Sequence, residues 1–144
     1  MILYAVIMLT AGIGIPILAT LNASLGNYLN IPALAAAITF FVGFIICVIA
    51  AITTGSVSFS AISNIPKHFL LAGLLMAFYL ISITYIAPKF GIGNAIFFIL
   101  LGQLISAATI DHFGLFGAQV NLIDFKRVSG LLLMVAGVWI AKQT

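Results

Sequence analysis

The chain has 144 residues, of which 65% are hydrophobic and only 5% charged, and its mean hydropathy is +1.38. Soluble domains carry about a quarter charged residues, so five basic and two acidic side chains cannot build a water-facing surface here. The bilayer must be the solvent for most of one domain, and a net charge of +3 from scattered residues excludes a nucleic-acid surface.

The first apolar run predicts a span over 2–21. It lacks a basic leader and exceeds the roughly 7–15 apolar residues of a signal peptide, so an uncleaved span is expected. Gly12, Gly14 and Pro16 lie near its middle, and Gly14 with Pro16 predicts a helix break. The polar, turn-rich NASLGNYLNIP segment should follow as a loop, with Pro32 restarting a helix.

The second span is expected over 32–52, with Ala33 and Ala37, and Thr39 and Gly43, as small pairs for close helix approach. Cys47, the single cysteine, reads as a small packing residue. The stretch TTGSVSFSAISNIPKH reads as a loop with room for a short interfacial piece. A third span over 67–87 should end at the PKFGIGN turn, because Pro88 disfavours helix at Ala87. The fourth span covers 93–110. The fifth has an apolar stretch of about 14 residues, short of a roughly 30 Å core, and its flanking basic residues extend it to 126–142.

With five spans, Lys67, Lys126 and Arg127 share the side of the N-terminus, and Lys89 and Lys142 share the other. Basic residues normally set orientation by a clear cytoplasmic excess. A split of three against two leaves two readings: a weak excess that keeps the N-terminus in the cytoplasm, or insertion both ways with pairing into an antiparallel dimer.

Candidate functional residues are the polar and aromatic side chains inside apolar runs. Gln103 lies mid-span in LLGQLIS, where its amide either binds substrate or ties helices together. Asn22 either lines a cavity or caps backbone freed near Pro16. Tyr79, Tyr85 and Phe40 could wall an organic ligand or simply pack. Asp111 and His112 end the fourth span. Asp111 reads as a gate, proton site or inter-subunit contact, or as a helix-end carboxylate that pairs with Lys126 or Arg127. Gly130, Gly137 and Ala141 form a small-residue face suited to close pairing, within the chain or in a dimer. No catalytic constellation, metal cluster or cofactor-binding loop is visible, so no enzyme, metal or cofactor is expected.

Several ordered motifs carry a family resemblance. They are GIGIPILATLNASLG, IPALAAAITFFVG, the PKFG turn, GQLISAATIDHFGLFG and KRVSGLLLMVAGV. Together they run nearly end to end, and they resemble the YdcZ-type branch of the drug/metabolite transporter superfamily, a group of bacterial inner-membrane exporters. The resemblance implies an all-α integral membrane protein with five transmembrane helices, half of an antiparallel ten-helix dimer of two such chains. It implies an exporter whose fifth span dimerises; with the residue reading above, the expected substrate is a small organic molecule met by Gln103, Asn22, Tyr79 and Phe40. Related small multidrug exporters use a glutamate in their first helix for proton exchange. This chain has no glutamate, which leaves Asp111 or His112 for any proton coupling. The competing functions are a small channel and an accessory membrane subunit.

Overall fold

A computed structural model describes residues 2–55 and 65–141, and those residues form helices and turns without a strand. Helix α1 spans Ile2–Leu29, α2 Pro32–Thr54, α3 Leu71–Phe90, α4 Ile92–Phe113 and α5 Phe125–Ala141. Short 3-10 turns precede α3 at Lys67–Leu70 and follow α4 at Leu115–Gly117. Four of the helices, with the Lys67–Leu70 turn counted into the third, are long and apolar enough to cross a membrane. The fifth is shorter: its 17 residues reach about 26 Å against a hydrocarbon core of about 30 Å. The loop expected over much of TTGSVSFSAISNIPKH, and Lys142, lie outside the described residues.

The chain divides into two compact units, residues 1–90 and 91–144. The first packs α1, α2 and α3 through small side chains. On α1 the buried positions are Ala19, Asn22, Ala23 and Gly26. On α3 they are Leu80, Ile83, Thr84 and Ala87. Both sets follow the i, i+3, i+4, i+7 spacing of one helix face. Helix α2 adds Ala35 and Ala36. Lipid tails are as apolar as leucine, so close van der Waals contact between small residues holds such helices together. The large apolar side chains point outward: Leu3 is 67% exposed, Phe44 65% and Leu74 66%. In water this would be a vast sticky surface, whereas a bilayer solvates it.

Several expected boundaries shift. Helix α1 continues through Gly14 and Pro16 without leaving the helix, so the break expected there is absent from the secondary structure. The bond that Pro16 cannot donate is a local loss within a long apolar helix. The Thr20 hydroxyl donates to the Pro16 carbonyl at 2.8 Å. The expected loop from Asn22 is helical to Leu29, because Asn22, Ala23 and Gly26 are absorbed into helix contacts. The chain turns at Asn30, whose left-handed φ of 56° asparagine tolerates well. Helix α3 likewise runs past Ala87 and Pro88 to Phe90, and Gly91, with φ of 87°, is the one residue before α4. The small pair Ala33 and Ala37 is exposed, with Ala35 and Ala36 buried in its place. Cys47 is exposed rather than packed.

Candidate functional site

Three polar side chains from three helices meet inside the first unit. The Asn22 amide donates from Nδ2 to the Thr84 hydroxyl. Its Oδ1 accepts from the Thr39 hydroxyl at 2.6 Å. Thr84 in turn donates to the Leu80 carbonyl at 2.6 Å. Asn22 and Thr84 are each 2% exposed. An amide left unpaired at this depth would cost about 1–3 kcal/mol, so the pairing fixes the register of α1, α2 and α3. Gly26 lies one turn further along α1. A methyl group built there would stand 2.7 Å from Thr84 Cγ2 and 3.5 Å from Pro32 Cα. Only glycine allows α1 to lie this close to its neighbours. Asn22 is therefore a buried tie between helices in the single chain. Its amide is spent on side chains of both neighbouring helices.

Tyr79 on α3 behaves differently. Its ring is half-buried and its hydroxyl is enclosed, yet that hydroxyl has no hydrogen-bond partner among the described residues. Phe40 on α2 is also half-buried. Tyr85 is exposed near the end of α3, with the Lys89 ammonium 3.4 Å from its ring centroid.

In the second unit, Gln103 is exposed on α4. The last turn of α4 fastens the following segment. The Asp111 carbonyl accepts from the Asn121 N–H at 2.8 Å, and His112 Nδ1 accepts from the Ile123 N–H at 3.1 Å. Both residues are half-buried. Helix α5 lies against α4 along an apolar seam lined by Phe97, Leu100, Leu104, Met134 and Val138, with a void of only about 10 Å³. Gly130 and Gly137 are not part of any close approach: a methyl added at either meets nothing within 4 Å. The Ala141 side chain lies outside the described residues. Among the described residues no three His, Cys, Asp or Glu side chains gather as a metal site would require.

Sequence reading singled out Asn22 but missed Thr39 and Thr84 as its partners. The available signal was that each of three successive apolar runs contains a hydrogen-bonding side chain able to meet the others.

Residues 3–140 match the family described as "Putative inner membrane exporter, YdcZ". The chain belongs to this family. Among curated proteins and among solved structures, no match was found. The YdcZ match and the four long apolar helices make the chain a multi-pass membrane protein of the transporter class, with the bacterial inner membrane implied by the family.

Proposed function

We propose that the chain is one half of a secondary transporter, which exports a small organic molecule by alternating access as an antiparallel homodimer. The observation that carries the transport reading is the exporter family match over residues 3–140. The dimer reading rests on the near-even split of basic residues and on the face of Gly130 and Gly137, which has open space around it. Tyr79 supplies the principal polar contact to substrate once the change of access opens the space around its enclosed hydroxyl. An enclosed hydroxyl with no partner carries a standing cost that a bound acceptor removes. Gln103 offers an exposed amide on an apolar helix, and Phe40 supplies apolar area. Asn22 acts on transport by holding the three helices together rather than by touching substrate in the resting chain. Asp111 and His112 form the gate. Release of the segment held by His112 accompanies the change of access, and no proton step is assigned to either residue.

Solute-dependent thermal stabilisation of the purified protein, followed by flux into proteoliposomes, tests this reading. Tyr79→Phe should weaken solute binding by roughly 2- to 12-fold, the range of one hydrogen bond. It should leave the unliganded protein at least as stable, since the lost hydroxyl has no partner. Gln103→Ala should weaken binding to a similar degree. Unchanged binding and flux in both variants would overturn the assigned contacts, and unitary currents in planar bilayers would replace the transporter with a channel.

A further inference from the structure

The first unit has a second polar feature that the transport reading does not use. The ends of α1 and α3 and the start of α2 frame an open cleft of about 210 Å³, whose lining includes Asn27, Asn30, Pro32, Thr84, Tyr85 and Lys89. Thr84 forms its buried floor, and its hydroxyl is already engaged with Asn22 and Leu80. The other polar lining groups are the Asn27 and Asn30 amides, each able to donate and accept, and the paired Tyr85 and Lys89 side chains. Lys89 is the cation of the cleft, and residues 1–90 contain no aspartate or glutamate. The Asn27 and Asn30 side chains are exposed.

The ordinary reading of Lys89 is a lysine that offsets the carbonyl end of α3 and reaches toward water. The geometry goes beyond that. The ammonium is folded back over the Tyr85 ring, 3.4 Å from its centroid, which holds the charge at the cleft wall. The Tyr85 side chain, which also hydrogen-bonds the ammonium, occupies part of it and leaves the remaining N–H groups for a ligand. The start of α2 adds to the positive potential. Pro32 opens the helix with no N–H of its own, and the Leu34 and Ala35 N–H groups donate to the Ile31 carbonyl, so the contribution of this turn is the helix dipole together with the Ala33 N–H. A cation and two exposed amides lining one cleft, with a helix start beside them and no acid in residues 1–90, match an anion with several acceptor oxygens. The volume lies below the roughly 300 Å³ at which drug-sized pockets begin.

We infer that this cleft binds a phosphate group, either the headgroup of an anionic phospholipid or a free phosphate monoester. Lys89 supplies the charge, and Asn27 and Asn30 supply amide N–H donors. The site is independent of the transport reading, and its test does not need a transported substrate.

Thermal unfolding of the full chain in detergent tests it, with inorganic phosphate, glycerol 3-phosphate and chloride compared at equal ionic strength. A phosphate ligand at tenfold its Kd should raise Tm by about 3–6 °C. Lys89→Gln should weaken that ligand by about tenfold or more. Asn30→Gly keeps the left-handed turn while removing the amide, and should weaken it less. Lys67→Gln should change nothing. In parallel, retention of phosphatidylglycerol over phosphatidylcholine through purification is compared between the wild type and Lys89→Gln. A Lys89-dependent effect of the soluble phosphates alone identifies a free monoester. A Lys89-dependent loss of phosphatidylglycerol identifies the lipid. Equal responses of wild type and Lys89→Gln to every probe, or no response to any, overturn the site.

Discussion

Gly26 and Asn22 set the packing of the first unit from one face of α1 by opposite means. Asn22 draws α2 and α3 inward with two hydrogen bonds, and Gly26 supplies the absence of a side chain that lets them arrive. A methyl at Gly26 would meet Thr84 Cγ2 at 2.7 Å, and Thr84 cannot swing away without breaking its bonds to Asn22 and Leu80. Gly26→Ala should therefore destabilise the protein by about 1–3 kcal/mol, the usual cost of overpacking. Thr84→Ser deletes the clashing methyl and keeps the hydroxyl, so the double variant should recover most of that loss. Gly12→Ala, with nothing within 4 Å of the added methyl, should be neutral or slightly stabilising. Thermal unfolding of the four proteins checks the set. If Gly26→Ala is as stable as wild type, α1 does not approach α3 this closely.

At the scale of elements, four helices were legible because long uncharged runs can only be buried or lipid-facing spans. Their ends were less legible. The Asn22–Leu29 segment reads as a loop by polarity, but Asn22 is spent on hydrogen bonds to two other helices and Gly26 on a close approach, which a local pattern cannot show. Thr84, the partner of Asn22, lies 62 residues away in sequence. Pro88 marks the end of α3 only to within a turn, because a proline near the end of a helix leaves little helix behind it to lose. The DHFG motif was flagged as chemically loaded, and the structure gives its histidine a local task. His112 Nδ1 takes the Ile123 N–H beside the left-handed Gly114, whose φ is 60°. His112→Ala should free that amide. Hydrogen exchange at Ile123 should then rise by roughly fivefold, the worth of about 1 kcal/mol. Exchange at Asn121, bonded to the Asp111 carbonyl, should change less. Equal exchange at Ile123 in both proteins would remove His112 as the fastening point.

For the whole molecule, the unusual quantity is charge balance. A membrane protein commits to one orientation through an excess of lysine and arginine on one side. Here five spans would leave three basic residues against two. Under the antiparallel reading this balance is what lets one sequence supply both halves of the machine, and it makes orientation easy to perturb. In a Cys47→Ala background, a reporter cysteine at Gln119 should label from both sides of the membrane in comparable amounts, and so should one at Tyr28. Two lysines added beside Gln119 would change the split to five against two. Labelling at each reporter should then collapse to a single side, and transport should fall with it. A second copy biased the other way, with four lysines added beside Tyr28 to make the split three against six, should also be inactive alone. Expressing the two together should restore transport, because each supplies the orientation the other has lost. Labelling from one side only in the unbiased protein, or full activity of either biased copy alone, would mean that a single orientation is enough.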